Sequence, residues 1–341
     1  MVDRERTIRG GRALAVAFVV VVSVTTVGVG SAISADAAAT TLVVDGEADG
    51  DSEYATIQAA VDAAAEGDTV EVNPGTYREE VIVNKTLTLV ASRGATITGS
   101  SFTGSSFGVR ITGNASPVVA GFTITQHNAG INTYNTSGDW VARNVTLVNN
   151  SIGGVATGDS EGDWTIRNAT IANNGQYGVG AVNSRGDWGI YYSRIEDNAE
   201  NGISAGNNNA DPGTNDGNWE VHYSSITGNG EHGLHAVDAG ATGNATRNWW
   251  GSENGPDESD CVGNVDCSNH LTSPLERLNE GTGQHESGVS MTVYDAVAGD
   301  DGLSRDDVLS MVRDYVTTES TNGVALTRVD IVTLVQYYVT R

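Results

Sequence analysis

The hydrophobic pattern of the chain repeats itself between residues 139 and 233. Gly-Asp-Trp stands at 138–140, 162–164 and 186–188, and Gly-Asn-Trp follows at 217–219. The steps between the tryptophans are 24, 24 and 31 residues, and three other columns keep the same steps. A fixed period predicts stacked structural units rather than one globular core. The three columns are Leu147, Ile171, Ile195 and Ile226; Asn150, Asn174, Asn198 and Asn229; and Gly154, Gly178, Gly202 and Gly233.

Within each repeat, apolar and polar residues alternate over four or five positions. Trp164 and Ile166 share a parity, and alternation of this kind predicts a short strand with one buried face. The parity breaks at Asn144 and Asn168, because asparagine tolerates the left-handed backbone that a bend needs. We expect the column of Gly154 to form a second corner of the repeat.

Three short strands and three bends in about 24 residues predict an all-β fold, a right-handed parallel β-helix whose turns stack roughly 4.8 Å apart. A left-handed hexapeptide helix would need about 18 residues per turn in repeats of six, a period that the sequence does not show. The aliphatic columns then form the core, and the Asn150 column forms a ladder of side-chain amides. The longer fourth step predicts a protruding loop at 207–217.

The rest of the chain predicts four segments. Arginines before an apolar run and a stretch of small residues indicate a secretory signal peptide over 1–37, with an uncleaved anchor as the alternative. The β-helix takes residues 40–275, and apolar residues at helical spacing over 56–66 predict an N-terminal capping helix. A polar, glycine-rich linker occupies 276–291. A small α-helical module occupies 292–341, and we expect no membrane span after signal cleavage.

The charge balance excludes one class of partner. The chain has 43 Asp and Glu residues against 18 Lys and Arg, a formal net charge of -25. Nucleic-acid binding needs clustered positive charge, so nucleic acid is excluded as a partner. The acidity predicts a halophilic, archaeal source, because high salt screens the self-repulsion of a carboxylate surface.

Export predicts two covalent modifications. Cys261 and Cys267 are the two cysteines of the chain, and in an oxidising compartment we expect them to form a disulfide. Export also allows glycosylation, which makes the chain a candidate glycoprotein. The seven Asn-x-Ser/Thr sites are Asn84, Asn114, Asn135, Asn144, Asn149, Asn168 and Asn244.

Two stretches carry a family resemblance. Residues 54–77, which begin Tyr-Ala-Thr-Ile-Gln-Ala-Ala-Val, and residues 83–90 look like the opening of pectin-lyase-like β-helix proteins, above all the NosD-like and pectinesterase-like branches. Residues 244–256, with Arg-Asn-Trp-Trp-Gly, look like the closing segment of NosD-like repeat proteins. The resemblance covers about 40–275 and implies the fold and a polysaccharide partner. It does not imply one reaction, because this fold hosts lyases, hydrolases, epimerases and non-enzymes.

The C-terminal module contains its own duplication. Residues 303–316 match residues 326–339 at an offset of 23, and each copy predicts a helix. The pair resembles a dockerin-like module, which implies a protein partner and calcium. The candidate calcium ligands are Asp295, Asp300 and Asp301, although the Asp and Gly positions are shifted by one from the family pattern.

The predicted site lies around the long loop. Ser204 and His235 share an outward column beside the small Ala156 and Gly180, so we expect a shallow groove there. The candidate groove residues are Ser204, Asp211, Asp216, Glu231, His232 and His235.

Two further columns have open interpretations. Stacked carboxylates at Asp139, Asp163 and Asp187 share a cation or cap bends. The outward column of Arg143, Arg167, Tyr191 and His222 is interpreted either as a sugar-binding strip or as surface residues without a binding role.

Two functions follow from these patterns. In the first, the protein is secreted or displayed at the cell surface and binds extracellular polysaccharide, which it would degrade as a polysaccharide lyase or glycoside hydrolase if it is catalytic. In the second, it is a non-catalytic surface scaffold or adhesion protein that the C-terminal module connects to a partner.

Overall fold

The protein, in the computed structural model, is a parallel β-solenoid of about eight turns. The structure describes residues 39–46, 54–91, 94–206, 217–237 and 242–274, together with two short strands at 320–321 and 324–325. The predicted signal peptide, linker, paired helices and calcium ligands Asp295, Asp300 and Asp301 lie outside the described residues. Strands Ser320–Thr321 and Val324–Ala325 pair with each other in antiparallel fashion.

Three parallel sheets form the faces of the solenoid, and we name them A, B and C in the order in which the chain meets them within a turn. Sheet A consists of Thr41–Val44, Thr69–Val72, Thr88–Ala91, Val118–Ala120, Trp140–Arg143, Trp164–Arg167, Trp188–Tyr191, Trp219–His222, Gly243–Asn244 and Val265–Asp266. Sheet B consists of Gly75–Tyr77, Ala95–Thr98, Thr123–Thr125, Thr146–Val148, Thr170–Ala172, Arg194–Glu196 and Ser225–Thr227. Sheet C consists of Val81–Val83, Phe107–Ile111, Ala129–Tyr134, Gly153–Gly158, Tyr177–Val182, Asn201–Ala205, His232–Ala236 and Cys261–Gly263.

The register of the sheets confirms the predicted stacking. Leu147 pairs with Ile171, Ile171 with Ile195, and Ile195 with Ile226, and all four side chains are buried. The tryptophans of the repeat stack inside the solenoid with ring centroids 5.3, 4.8 and 4.9 Å apart and planes within 8° of parallel. Equal residues therefore lie above one another, as the period of the sequence requires.

The asparagine ladder is also confirmed. The Nδ2 group of Asn150 donates to Oδ1 of Asn174 at 3.2 Å, Asn174 donates to Asn198 at 2.9 Å, and Asn198 donates to Asn229 at 3.0 Å. Each accepting Oδ1 also receives the backbone N–H of the asparagine one turn earlier, at 3.1 Å. The ladder thus satisfies backbone and side-chain groups of the buried corner together.

The bends are partly as predicted. Asn144 and Asn168 adopt left-handed backbone, with φ of 55° and 49°. The prediction of a second corner at Gly154 is wrong, however, because Gly154 lies within a strand of sheet C. The residue with left-handed backbone at the preceding bend is Asn149, with φ of 56°. A Cβ on Gly154 would stand 2.8 Å from the carbonyl oxygen of Gly178. Glycine is needed here for the close approach of two turns rather than for a bend.

The N-terminal helix spans Ile57–Ala63, which is shorter than predicted because the chain is already extended at its C-cap. The hydroxyl of Thr56 accepts a hydrogen bond from the backbone N–H of Ala59 at 3.2 Å. The carboxylate of Glu79 accepts the first two helical N–H groups at 3.0 and 2.9 Å. Lys85 donates to three carbonyls at the other end. Opposite charges match both ends of the helix, and its role as a cap stays a prediction.

The far end continues the solenoid. Cys261 and Cys267 form a disulfide with a Cα–Cα distance of 6.6 Å. Strand Cys261–Gly263 extends sheet C, and strand Val265–Asp266 extends sheet A. Residues 261–266 therefore add a partial turn to the solenoid. Within the described parts of the chain, no helix has the length and apolarity to cross a membrane.

One histidine stands at the end of the asparagine ladder. The backbone N–H of His127 donates to Oδ1 of Asn150 at 3.1 Å, as each asparagine does to the next. Its imidazole is 2% exposed, and Nδ1 lies 3.1 Å from the hydroxyl of Ser106. Burial lowers the pKa of His127 from its ordinary value of 6.5 to about 4.

This shift predicts a pH-dependent stability. Because the unfolded chain binds the proton at about pH 6.5 and the folded chain does so only at about pH 4, the free energy of unfolding falls as the pH drops between these values, by about 2–3 kcal/mol. The variant H127N continues the ladder and should lose this part of the pH dependence in denaturant titrations at pH 7 and pH 4. Equal pH slopes for the parent and the variant would contradict it.

Candidate functional site

The outer face of sheet A carries a cluster of side chains around a glycine. Gly189 stands in register between Thr165 and Glu220. The ring of Tyr191 covers this glycine, since a Cβ there would lie 2.5 Å from ring atom Cε2. The guanidinium carbon of Arg167 lies 4.8 Å from the Tyr191 ring centroid. A cation over an aromatic face is an attractive arrangement, so the ring is held from both sides.

Glu220 is the centre of this cluster. One carboxylate oxygen accepts the Tyr191 hydroxyl, and the other lies 3.2 Å from Nε2 of His222. Nδ1 of His222 lies 2.8 Å from the carbonyl oxygen of Thr246. Both ring nitrogens of His222 therefore lie within hydrogen-bond distance of an oxygen atom. The carboxylate of Glu220 thus lies between a phenol and an imidazole.

An aromatic ridge borders the same face. Tyr192 and Tyr223 occupy the corner between sheets A and B in left-handed backbone, with φ of 50° and 52°. Their rings stack with centroids 5.2 Å apart and planes within 6°. The guanidinium carbon of Arg247 lies 5.7 Å from the Tyr223 ring centroid. Earlier turns place asparagines at this corner, so the ridge is confined to the later turns.

A cleft of about 490 Å³ opens where the Gly-Asp-Trp segments enter sheet A. Its polar side chains include carboxylates from three successive turns, two amides and Tyr191, and three of the stacked tryptophans also line it. The lining includes Asp163, Asp187, Tyr191, Asn218, Glu220 and Asn244.

The aspartate column of the cleft links neighbouring turns. Oδ1 of Asp139 accepts the backbone N–H of Asp163 at 2.8 Å, and Asp163 accepts that of Asp187 at 2.8 Å. Asp187 accepts the N–H of Asn218 at 2.7 Å. The structure therefore supports the interpretation in which these side chains cap bends. Within the described ranges, no group of three or more His, Cys, Asp or Glu side chains is arranged to hold a metal ion.

The site predicted from the sequence is brought together only in part. Ser204 and His235 are paired in sheet C, and the ring of His232 stacks on that of His235 with centroids 5.0 Å apart. Glu231 is exposed beside them. Asp211 and Asp216 lie outside the described residues, so the complete set stays a prediction.

The shallow groove expected beside Ser204 is filled at Gly180. The ring of Tyr177 covers Gly180, where a Cβ would lie 2.7 Å from ring atom Cε2. Burial, together with the charge of Glu200, raises the pKa of the Tyr177 phenol, which stays neutral. The small residue was correctly placed, but its space is filled by a side chain from the same strand.

Tyr191 and His222 were predicted from the sequence as members of an outward column, whereas Glu220 was not predicted. The alternation in Trp219–His222 places Glu220 and His222 on one outward face, two residues apart. That parity was a usable signal. The folding of Tyr191 over Gly189 depends on a side-chain rotamer, which the pattern does not determine.

Comparisons with known proteins agree with the architecture. Residues 81–191 match the family model described as "Right handed beta helix region", which supports the predicted handedness. No curated protein matches this chain in sequence.

Several solved structures are similar at low identity. Pectate lyase Pel9A has 16% identity and a TM-score of 0.47, over 78% of this chain and 86% of that one. A pectin methylesterase in complex with a hexasaccharide has 14% identity and a TM-score of 0.42, over 65% and 92%. The A-module of a mannuronan C-5 epimerase from Azotobacter vinelandii has 16% identity and a TM-score of 0.34, over 57% and 70%. Likeness at this distance does not indicate a substrate.

Proposed function

We propose that the protein binds an extracellular polysaccharide across the outer face of sheet A. The observation that carries the proposal is the cleft of about 490 Å³, which is lined by hydrogen-bonding groups from successive turns beside an aromatic ridge. Its volume lies in the range of small-ligand sites, roughly 300–1,000 Å³. Carboxylates and amides accept or donate hydrogen bonds to hydroxyl groups, and the rings of Tyr192 and Tyr223 offer apolar contact area to sugar rings.

The charge of the cleft favours a neutral polysaccharide. Asp163, Asp187 and Glu220 line it, and no lysine or arginine is among its described lining residues. A polymer of uronic acids would bring further negative charge against these carboxylates and against a chain of net charge -25. Hydroxyl groups of a neutral polymer can donate to the same carboxylates without that repulsion.

The test is a charge-removing variant of the cleft. We expect E220Q to weaken binding to neutral polysaccharides about tenfold, because the amide accepts hydroxyl donors less strongly than the carboxylate. Binding is measured on a glycan array and then by titration at high salt. The matched control is E161Q, since Glu161 is an exposed carboxylate that contacts Arg185 at 3.4 Å outside the cleft. Equal affinities of the parent, E220Q and E161Q would contradict the proposal.

Cleavage of the bound polymer is a second candidate function. It is favoured by the contact of Glu220 with both Tyr191 and His222, because a carboxylate, a phenol and an imidazole in one hydrogen-bonded group can transfer protons. Assays for new reducing ends and for unsaturated products distinguish the two functions. Binding without either product supports a non-catalytic scaffold or adhesion protein.

The cellular setting belongs to the same proposal. Export through residues 1–37 would place the solenoid outside the cell, where polysaccharides are accessible. The module at 292–341 would then bind a protein partner. Calcium is its expected cofactor, held by Asp295, Asp300 and Asp301. Metal analysis of the purified full chain tests the calcium expectation directly.

A further inference from the structure

A second cavity lies at a different corner of the solenoid. Residues 99–106 connect sheet B to sheet C, and this connection is twice as long as residues 149–152, which make the same connection two turns later. The longer segment carries Phe102, whose side chain is 41% exposed. A cavity of about 360 Å³ lies between this segment and the corner formed by residues 126–128. The longer connection therefore interrupts the repeat and forms one wall of this cavity.

The wall of the cavity is polar and carries no charged side chain among the described residues that line it. This is unusual for a chain in which 43 residues are Asp or Glu. The lining includes Phe102, Ser106, Gln126, His127, Asn128 and Ser151.

The polar groups of the wall are fixed by hydrogen bonds to one another. The backbone N–H of Ser106 donates to Oδ1 of Asn128 at 2.8 Å, and Nδ2 of Asn128 donates to the Ser151 hydroxyl at 3.3 Å. Oε1 of Gln126 accepts the Thr98 hydroxyl at 3.0 Å. Because these contacts join residues 20 or more positions apart, the donors and acceptors of the cavity are held in place before any ligand arrives.

His127 forms the floor and replaces an asparagine of the ladder. Its ring centroid lies 6.1 Å from that of Phe102. Its Nε2 is buried and has no hydrogen-bond partner among the described residues. An asparagine at this position would continue the ladder. The exchange for imidazole lies one turn after the connection 99–106, which is the longest such connection among the described turns. Burial keeps the ring neutral.

We propose that this cavity binds one neutral pyranose unit, with the apolar face of the sugar against Phe102 and its hydroxyl groups on the amides and hydroxyls of the wall. An aromatic ring with fixed neutral donors and acceptors complements a sugar, which has both an apolar face and hydroxyl edges. A carboxylate here would lose hydration without gaining a cationic partner, so a uronate is disfavoured. The proposal does not depend on the face of sheet A.

The test uses methyl β-glucoside, methyl β-galactoside and methyl α-mannoside as neutral probes and glucuronate as the charged probe. We expect at least one neutral glycoside to bind the full chain with a dissociation constant on the order of 1 mM, as its size allows. Binding should shift the His127 ring resonances in NMR spectra, which the variant H127N identifies. Glucuronate should bind about tenfold more weakly than that glycoside.

Variants locate the ligand. Because Phe102 is exposed, F102A should fold and should lose about tenfold in affinity for the glycoside. The matched control is Y134A, which removes another exposed aromatic residue, 55% exposed, outside the cavity, and it should bind like the parent. The proposal is overturned if no neutral probe shifts the His127 resonances up to about 20 mM, if glucuronate binds equally well, or if F102A keeps the parent affinity.

Discussion

Replacing Trp164 by alanine is expected to lower the free energy of unfolding by about 4 kcal/mol. The side chain is 2% exposed and stacks between Trp140 and Trp188 at centroid distances of 5.3 and 4.8 Å. Its Nε1 donates to the buried hydroxyl of Ser184 at 2.9 Å. The variant W164A therefore creates a cavity, breaks two aromatic contacts and leaves a buried hydroxyl without its donor. Denaturant titrations at fixed high salt measure the change.

The control for this prediction is W164F. Phenylalanine keeps a ring in the stack and loses the hydrogen bond to Ser184, so we expect a smaller cost of about 1–2 kcal/mol. The near-ultraviolet circular dichroism of the stacked indoles should weaken in both variants, because the middle chromophore is removed in each. A cost below about 1 kcal/mol for W164A would show that the stack contributes little to stability.

Replacing Asn174 by alanine is expected to lower the free energy of unfolding by about 3–4 kcal/mol. Oδ1 of Asn174 accepts both the backbone N–H and the Nδ2 group of Asn150, and its own Nδ2 donates to Asn198 and to the carbonyl of Leu147. The residue is 1% exposed. The variant N174A leaves several of these groups buried without partners, and each such group costs about 1–3 kcal/mol.

The matched control is N114A. Asn114 is exposed and stands in a bend outside the ladder, so we expect its replacement to change stability by less than about 0.5 kcal/mol. Thermal and denaturant unfolding of the two variants, compared under the same salt, separate the ladder from a general effect of removing an amide. Equal stabilities of N174A and N114A would contradict the role assigned to the ladder.

The core was predictable because the same residue types recur at the same positions in successive repeats. The columns of Trp140, Leu147 and Asn150 recur at a constant step, so each residue type is constrained by the neighbouring turns as well as by its own. The glycine column shows the limit of the same reasoning. Its recurrence was evident, but bends and close backbone approach both favour glycine, and the sequence does not distinguish these two causes.

The candidate site was less predictable, since it depends on departures from the repeat. Gly189, Glu220 and Phe102 each occupy a position where the pattern does not hold, and their contacts depend on side-chain rotamers and on the length of one connection. The outward positions of Ser204 and His235 were predicted correctly, but the space between them and Gly180 is taken by Tyr177. The alternation along a strand predicts which face of the sheet a side chain occupies, but it does not predict which other side chain covers it.

The equal spacing of the turns makes the length of the solenoid adjustable in whole units. Excising residues 164–187 would join Asp163 to Trp188 and restore Gly-Asp-Trp at the junction. Leu147 would then face Ile195, and Asn150 would face Asn198, so every interior column would close over the gap. The cavity at His127 would keep all of its lining residues after such an excision. The cleft on sheet A would lose Asp187, and Tyr191 would lose its contact with Arg167. A gene for this chain can therefore gain or lose a repeat by recombination and still encode a folded coil that carries the cavity at His127.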